Sequence, residues 1–385
     1  MVLVLRCGTA EPWSATLWVM DEMALKIEDL GYDDFFESER ARRGSEGVRV
    51  ARVISQSRGG YKVKDADGEY IAKVTGKRIH TASSREDYPA VGDWVELSDV
   101  AGGQAVIQGI VPRKSVIKRK SVGKGNGYEG KSDVQIIATN VDTAFVVEAV
   151  DRDYSLNRLE RYVAIARDGG VRVAVILNKI DLISAEERDA KIAEIEERFG
   201  DIDVITASAA TNGGADMLRG HIGKGKTYCF LGSSGVGKSS LINRLLTAGG
   251  LRTGEIGSHS GRGKHVTTAR EMFFLPNGGI VIDNPGVREV GMTDTDAGIE
   301  ESFDGIATLA GDCRFTDCTH TQEPGCAVLA ALESGTIDRD RYANYLGLRK
   351  EAERYGMTVS EQRNKHRSFG KFMKTAKKDL LRKGD

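Results

Sequence analysis

Between Val48 and Val111 the chain consists of short runs in which apolar and polar residues alternate, the pattern of half-buried strands. Glycine-rich turns, for example at residues 58–60 and 101–103, separate these runs. About five strands within roughly 65 residues predict a small β-barrel. We favour an oligonucleotide-binding (OB) barrel over residues 47–115, and a generic barrel that serves as a protein adaptor remains an alternative.

Beyond residue 140 the pattern changes to buried-strand runs that alternate with helical periodicity. Strands are predicted at 143–149 and 171–177, with an amphipathic helix over 156–167 between them. A capping box at 184–187 then begins a helix that reaches about residue 199, and a third strand follows at 204–206. Strands that alternate with helices predict a parallel α/β sheet.

A glycine-rich loop after the predicted strand at 226–231 has the full spacing of a P-loop. Apolar residues at helical spacing follow it, so the loop lies at a strand-to-helix turn. In such a loop backbone N–H groups face phosphate oxygens, Lys238 reaches the outer phosphates and the Ser239 hydroxyl binds Mg²⁺. A nucleoside triphosphate is the expected ligand, and the loop alone does not distinguish GTP from ATP. The predicted phosphate-binding residues are Gly232, Ser233, Ser234, Gly235, Val236, Gly237, Lys238, Ser239 and Ser240.

Two further segments predict that the base is guanine. The tetrapeptide Asn178, Lys179, Ile180, Asp181 follows the strand at 171–177, and Ser208 and Ala209 follow the next strand. The Asp181 carboxylate can accept hydrogen bonds from two N–H groups of guanine that adenine lacks, and a site built for such donors rejects a ligand without them. We expect Asn178 to brace the loops, Lys179 to lie along the base, and the backbone at 208–209 to donate to the guanine carbonyl.

The side of the site that handles Mg²⁺ is predicted downstream of the P-loop. A pair of strands at 271–275 and 279–282 ends at Asp283, and Gly286 lies three residues further on. A carboxylate and a glycine at this spacing are expected to support Mg²⁺ and to sense the γ-phosphate. The guanine segments therefore precede the P-loop, the reverse of the usual order, and we interpret 116–299 as a circularly permuted GTPase domain.

A cluster of soft metal ligands follows at Cys313, Cys318, His320 and Cys326. Three thiolates and one imidazole complete the closed tetrahedral shell of a structural zinc site. We therefore predict one structural Zn ion in an α-helical zinc-binding domain over 300–385. Five cysteines in the whole chain, two of them isolated, argue against a disulfide framework.

Charge is balanced over the chain but not along it. Lys and Arg number 55 against 56 Asp and Glu, yet residues 349–385 hold 12 basic and 5 acidic residues, a net charge of +7. This tail is interpreted as RNA-facing, with a solvated basic helix as the alternative. The basic, glycine-rich stretch at 113–131 is interpreted as a linker that either contacts a polyanion or serves as a hinge.

Residues 1–46 are interpreted as an N-terminal extension with a short helix near residues 33–37, and Met20 and Met23 are alternative start positions. A membrane span needs about 18 consecutive apolar residues, and the sequence has no such run. The apolar run at residues 1–5 is also too short for a signal peptide, and the N-terminus has too few basic residues for one. We expect a cytoplasmic monomer without membrane partners.

On these residues the chain resembles the bacterial family of circularly permuted GTPases that depend on the small ribosomal subunit. The permuted motif order and the Cys-x4-Cys-x-His-x5-Cys spacing carry the resemblance, which covers about residues 30–385. It implies an OB barrel, a permuted GTPase and a zinc domain. It also implies Mg²⁺-dependent GTP hydrolysis that is stimulated by the small subunit, binding to its rRNA, and a role in late maturation in which hydrolysis times release.

The resemblance also implies catalytic residues. The family assigns catalytic help to a histidine in a Gly-x-His-Thr-Thr switch, which matches His265, and Val266 replaces the first threonine here. Thr267 is therefore expected to contact Mg²⁺ in preference to Thr268. The alternatives are a nucleotide-gated RNA-binding switch or chaperone with incidental hydrolysis, and a P-loop ATPase. The expected catalytic residues are His265, Lys238, Thr267, Asp283 and Gly286, with Ser239, Thr267 and Asp283 at Mg²⁺.

Overall fold

The computed structural model describes residues 25–57, 60–76, 82, 84–120, 134–151, 154–211, 213–247, 270–283 and 297–356. Three units follow one another along these residues: a barrel preceded by a short helical segment, an α/β sheet, and a helical module. Three residues with predicted roles, His265, Thr267 and Gly286, lie outside the described residues, as does most of the basic tail.

Five strands form a closed barrel, which confirms the architecture predicted from the alternating pattern. Around the barrel the order is β1-β2-β3-β5-β4 and back to β1, with the β3–β5 pair parallel and the other pairs antiparallel. This connectivity is that of an OB barrel. The strands are Arg49–Ser57 (β1), Gly60–Lys64 (β2), Glu69–Val74 (β3), Trp94–Ala101 (β4) and Gln104–Ile110 (β5).

Small and branched apolar side chains fill the barrel, because five strands enclose little space. Within the barrel, strand β1 pairs with both β2 and β4. The register of its pairing with β2 shifts between Val53 and Ser55, a bulge that lets the strand bend around the barrel. The buried interior residues are Ala51, Val53, Tyr61, Val63, Ala72, Val95, Leu97, Ala105 and Ile107.

A two-stranded hairpin connects the barrel to the α/β sheet. Val116–Lys120 (β6) pairs antiparallel with Val134–Thr139 (β7), so the prediction of a linker from residue 113 was wrong for its first part. Ile117 is fully buried in this hairpin, and the Arg113 guanidinium donates to both carboxylate oxygens of Asp93 at 2.8 Å. Charge and glycine content dominated the prediction, and they do not reveal a partner strand further along the chain.

Six strands form the α/β sheet in the order β10-β9-β8-β11-β13-β12. Neighbouring strands are parallel except β12, which is antiparallel to β13. The carboxyl ends of β8, β9, β10, β11 and β13 therefore meet at one sheet edge, and this order confirms the permuted α/β fold. The strands are Thr143–Ala149 (β8), Arg172–Asn178 (β9), Asp203–Ala207 (β10), Thr227–Leu231 (β11), Glu271–Phe274 (β12) and Ile280–Asp283 (β13).

Helices cover both faces of this sheet, which explains why its strands are continuously apolar. Apolar residues of α2 and α3 pack on one face, and those of α4 and α5 pack on the other. One backbone pairing, Ser55 with Glu271, joins β1 of the barrel to β12, so the two sheets are hydrogen-bonded into one. The helices are Leu156–Asp168 (α2), Ala185–Phe199 (α3), Asp216–Gly220 (α4) and Lys238–Thr247 (α5).

The helical module packs on α2. A Cβ at Gly298 would lie 2.3 Å from the Ala164 carbonyl oxygen, so glycine permits this close approach of the two helices. Across the described residues, no helix combines the length and the apolar character that a membrane span requires. The module consists of Ala297–Ser302 (α6), Asp304–Ala310 (α7), Ala327–Glu333 (α8) and Arg339–Gly356 (α9).

A buried carboxylate joins the module to the sheet domain. Glu160 on α2 is fully buried and accepts two hydrogen bonds from the Arg198 guanidinium, at 2.7 and 3.0 Å. The Asn344 amide of α9 donates to the same carboxylate. One residue further along α2, Arg161 pairs with both carboxylate oxygens of Glu351 at 3.0 and 2.7 Å. These bonds tie α9 to α2.

The segment before the barrel belongs to the folded body. It contains a 3₁₀ helix at Ile27–Leu30 and an α-helix at Asp34–Arg43 (α1), and its buried Phe36 packs near Trp94 of the barrel. The fully buried Arg52 of β1 anchors this segment. Its guanidinium donates to the carbonyls of Leu30 (2.5 Å), Gly92 (3.3 Å) and Asn140 (3.1 Å).

These three acceptors belong to different parts of the chain: the N-terminal segment, the loop before β4, and the residue after β7. Burial lowers the pKa of Arg52 to about 10, while Asp142, Asp93 and Asp33 oppose the shift, so the group keeps its charge at neutral pH. Arg52 thus holds the N-terminal segment, the barrel and the entry to the α/β sheet in one arrangement.

We expect Arg52→Met to lower the free energy of unfolding by about 2–4 kcal/mol, because three carbonyls lose their charged donor. Denaturant unfolding of the full chain measures this change, and limited proteolysis should show earlier cleavage within residues 25–47. Arg42→Met is the matched control, since its side chain is 74% exposed, and a change within about 0.5 kcal/mol is expected. Equal stability of the two variants would contradict the assignment.

Candidate functional site

The P-loop lies where β11 ends and α5 begins, at the carboxyl edge of the sheet. Gly232, Gly235 and Gly237 have φ angles of +138°, +87° and +98°, a region that favours glycine. A Cβ at Gly232 would lie 2.4 Å from the Val147 carbonyl oxygen, and one at Gly237 would lie 2.3 Å from Nδ2 of Asn178. The glycines therefore let the loop pass close to β8 and β9.

Lys238 is the charged group of this loop. Its ammonium donates to the carbonyls of Gly232 (2.7 Å) and Ser233 (2.6 Å). Burial lowers its pKa to about 8, and the charge of Asp283 opposes the shift. The lysine is thus a largely desolvated cation at the start of a helix, where a phosphate anion would be favoured.

Asn178 joins the guanine tetrapeptide to the P-loop. Its side chain is buried, and its amide donates to the Val236 carbonyl at 2.7 Å. The next residue, Lys179, has a left-handed backbone (φ +64°), and its ammonium pairs with Asp151 at 2.6 Å. Asp151 follows the end of β8. Its position after a buried strand is the signal that sequence reasoning passed over.

The two segments predicted to read the base lie side by side. The Ser208 hydroxyl donates to Asp181 Oδ1 at 2.5 Å, which orients the otherwise exposed carboxylate. The same hydroxyl oxygen accepts from the Ala210 N–H at 3.2 Å. Within the described part of the chain the Ala209 N–H has no acceptor. Asp181 and the loop at 208–210 therefore present an acceptor and a donor at neighbouring positions.

Arg244 is a site residue that sequence reasoning missed. It lies on α5, and its Nε donates to the Ala209 carbonyl at 2.9 Å. The two residues are 35 positions apart, and no local motif in the sequence connects them. Helix α5, which follows the P-loop, thus contacts the loop that follows β10.

Two of the three groups predicted to hold Mg²⁺ lie near Lys238. Ser239 is exposed in the first turn of α5, and Asp283 ends β13 close enough to act on the charge of Lys238. A hydroxyl and a carboxylate are oxygen donors, which suit Mg²⁺. Thr267, the third predicted ligand, lies outside the described residues together with His265 and Gly286.

The four soft ligands of the helical module converge. Their ligand atoms lie within 4.8 Å of one another, with His320 Nδ1 3.5 Å from the sulfurs of both Cys313 and Cys326, and these two sulfurs 3.8 Å apart. A tetrahedral zinc with Zn–S bonds of about 2.3 Å and a Zn–N bond of about 2.0 Å separates its ligands by about 3.5–3.8 Å. This cluster can hold one metal ion.

The backbone around the cluster is fixed by hydrogen bonds. The Cys326 sulfur accepts from the Leu329 N–H at 3.4 Å and so caps α8, and the Tyr342 hydroxyl of α9 donates to the His320 carbonyl at 2.5 Å. Glu323 accepts from the Thr319 hydroxyl and from backbone N–H groups between residues 319 and 322, which holds its pKa well below the usual range. The loop that carries the four ligands is thereby ordered by its own residues and by contacts from α8 and α9.

Comparisons with known proteins agree with this arrangement. The model of the RsgA GTPase family matches residues 110–293. A curated protein of Lactiplantibacillus plantarum named small ribosomal subunit biogenesis GTPase RsgA 2 is 42% identical over 326 residues, which cover 84% of this chain and 90% of that protein. The RsgA protein of Opitutus terrae is 41% identical, with coverage of 85% and 90%.

Solved structures support the fold. The crystal structure of YjeQ from Thermotoga maritima aligns with a TM-score of 0.57 at 27% identity and covers 79% of this chain and 98% of that one. The structure of YloQ, described as a circularly permuted GTPase, aligns with a TM-score of 0.55 and covers 80% and 96%. At 24% identity, YloQ supports the fold alone.

We expect nucleotide binding to take up protons in the alkaline range. Phosphates next to Lys238 would raise its pKa from about 8, so about half a proton per bound nucleotide should be taken up at pH 8 and much less at pH 7. The affinity should therefore fall as the pH rises above 8. Calorimetry with Mg-GTP in buffers of different ionisation enthalpy measures the uptake.

Lys238→Arg is the control for this measurement, because arginine stays protonated throughout the range. Its uptake at pH 8 should be close to zero at nucleotide concentrations that saturate the variant. An unchanged uptake in Lys238→Arg would assign the proton to another group.

Proposed function

The chain belongs to the RsgA GTPase family, and on this premise we propose that it hydrolyses GTP as a late maturation factor of the small ribosomal subunit. The observation that carries the proposal is the hydrogen bond from the Asn178 amide to the Val236 carbonyl. It makes the guanine tetrapeptide and the P-loop parts of one site at one sheet edge. The relatives that cover most of this chain are named as GTPases of small-subunit biogenesis.

Base selection rests on Asp181 and on the loop after β10. The Asp181 carboxylate, oriented by the Ser208 hydroxyl at 2.5 Å, accepts hydrogen bonds from the N1 and 2-amino groups of guanine. The N–H of Ala209 donates to the 6-oxo group. Adenine presents the wrong group at each of these positions, so GTP is preferred over ATP.

Phosphoryl transfer follows from the groups around the P-loop. Lys238, the backbone N–H groups of the loop and the start of α5 bind the phosphates. Ser239, Thr267 and Asp283 would hold Mg²⁺, which would neutralise charge on the phosphates. Gly286 senses the γ-phosphate, a role that rests on its position three residues after Asp283. His265 positions the attacking water, a role that rests on the matched switch sequence.

The metal in the helical module is proposed to be one structural zinc ion. The donor set of three sulfurs and one imidazole nitrogen is typical of structural zinc, and the 3.5 and 3.8 Å separations fit a tetrahedral shell. Four protein ligands leave no open position for substrate. The ion therefore stabilises the loop between α7 and α8.

The proposed partner is the rRNA of the small subunit, which the protein meets in the cytoplasm as a monomer. The barrel carries a cavity of about 210 Å³ lined by Tyr61, Lys62, Ile71 and small polar residues, and Ile71 is 52% exposed. Lys62 and Ile71 are both exposed and lie opposite each other on β2 and β3, and an exposed apolar residue beside a lysine suits a nucleobase and its phosphate. The tail, with its net charge of +7, adds attraction to the polyanion.

Hydrolysis times release through the domain junctions. Helix α2 holds the zinc module through Glu160 and Arg161, and it belongs to the same sheet domain as the P-loop. The chain also runs from Asp283 at the end of β13 to the start of α6 at Ala297 within 14 residues, so loss of the γ-phosphate contacts would act on the module. GTP and GDP then favour different positions of the module on the subunit.

Single-turnover hydrolysis with and without purified small subunits tests this function. We expect slow hydrolysis by the chain alone and acceleration by small subunits. His265→Ala should keep its nucleotide affinity and lose about a hundredfold or more of the stimulated rate, because the water loses its positioning group. The exposed His221→Ala is the matched control and should match the wild type.

The outcomes separate the candidate functions. A failure of every ribosomal particle to accelerate hydrolysis would favour a nucleotide-gated binding switch over the enzyme. Weakened nucleotide binding in His265→Ala would instead assign that histidine a structural role.

Asp181→Asn tests the base assignment against a P-loop ATPase. Loss of the carboxylate should weaken GDP binding by about a hundredfold, the cost of charged hydrogen bonds to the base. XDP should bind better than GDP, because the asparagine amide can donate to the 2-oxo group of xanthine. Fluorescence titration measures both, with exposed Asp189→Asn as control. An Asp181→Asn variant that still prefers GDP, or a wild type that prefers ADP, would refute guanine recognition here.

A further inference from the structure

Arg244 extends from the phosphate-binding helix to the base-reading loop. It lies six residues after Lys238 on α5, and its Nε donates to the Ala209 carbonyl at 2.9 Å. Its neighbours Leu241, Ile242 and Leu245 are buried against the sheet, so the helix that carries Arg244 is fixed. The described residues place no carboxylate within ion-pair distance of Arg244. Among the described residues, the partner of the Arg244 guanidinium is therefore the Ala209 carbonyl.

This contact completes the hydrogen bonding of one peptide group. The peptide between Ala209 and Ala210 is bonded on both sides, with its carbonyl accepting from Arg244 and its N–H donating to the Ser208 hydroxyl oxygen at 3.2 Å. A peptide plane fixed at both ends cannot rotate without losing a bond. The preceding peptide, which carries the Ala209 N–H, lies between this plane and Ser208, whose N–H donates to the Gly214 carbonyl at 2.8 Å, so the chain is anchored on both sides of it.

We propose that Arg244 is a positioning residue for guanine recognition. It holds the loop so that the Ala209 N–H faces the 6-oxo group of the base, whereas Asp181 reads the N1 and 2-amino groups. The inference rests on the proposed guanine-nucleotide function. It adds that Arg244 connects the helix after the P-loop to the loop that contacts the 6-oxo edge of the base, while Asp181 contacts the other edge.

Arginine suits this task for two reasons. Its side chain is long enough to extend from α5 to the Ala209 carbonyl. Its planar guanidinium also loses less conformational freedom per hydrogen bond than a lysine ammonium does. A bond from a charged donor is also stronger than one between neutral groups. The base loop and the P-loop therefore keep a constant separation, which the length of the nucleotide requires.

The test compares three diphosphates that differ at one base position each. GDP carries the 6-oxo and 2-amino groups, 6-thio-GDP has a weaker acceptor at position 6, and IDP lacks the 2-amino group. In the full-length Arg244→Met variant, GDP affinity should fall about tenfold, equivalent to about 1.4 kcal/mol. The preference for GDP over 6-thio-GDP should fall towards one. The preference for GDP over IDP, which Asp181 sets, should remain at its wild-type value.

Kinetics give an independent measure of the same role. With GTP, Arg244→Met should raise KM and leave kcat unchanged, because the contact positions the base and not the γ-phosphate. Arg219→Met is the matched control, since it removes an arginine from the helix after the same loop, where Arg219 pairs with Asp216. This control should keep both preferences.

Three results would overturn the proposal. Equal losses of affinity for GDP, 6-thio-GDP and IDP in a variant with wild-type unfolding temperature would mean a general structural role. Unchanged affinities would mean that the contact has no role in recognition. A wild type with no preference for GDP over ADP would overturn guanine recognition itself. This result is distinguishable from the other two because it requires no substitution.

Discussion

The hydrogen bond from the Asn178 amide to the Val236 carbonyl is the contact on which the site depends. It joins β9 to the loop after β11, two segments that are 58 residues apart in the chain. Glycine at 237 is required for the same approach, because a Cβ there would meet the Asn178 amide. The groups proposed to read the base and to bind the phosphates can act on one nucleotide only if this spacing is kept.

This dependence on spatial neighbours explains why a permuted chain order is compatible with the chemistry. Strands β8, β9, β10, β11 and β13 all end at one edge of a parallel sheet, whatever their order in sequence. Ligands bind at that edge in open α/β folds. What the order of the strands in the sequence does change is which strand is followed by the next domain. Here β13, with Asp283 at its end, is the last strand that the structure describes before the helical module.

At both domain junctions a buried charged side chain forms hydrogen bonds with groups from separate segments of the chain. Arg52 donates to three carbonyls that fix the N-terminal segment and the barrel against the α/β sheet. Glu160 accepts from Arg198 and Asn344 and fixes the helical module to α2. Buried charges are costly unless every hydrogen bond is made, so each junction favours one relative orientation of its parts.

The sequence by itself determined the features that depend on local spacing. Strand and helix periodicity, the glycine pattern before Lys238, the tetrapeptide ending at Asp181, and the ligand spacing from Cys313 to Cys326 each lie within a short stretch of chain. Because the physical requirement of each acts over a few residues, the barrel, the permuted sheet and the helical metal module could be predicted.

Only the tertiary structure decided which distant groups meet. Arg244 contacts Ala209 across 35 residues, Arg52 contacts Asn140 across 88, and Glu160 contacts Asn344 across 184. A basic stretch that the sequence suggested as a linker became strand β6, because a partner strand lies further along the chain. Such pairs are selected by packing and by the need to bond every buried polar group, and neither requirement is visible in residue spacing.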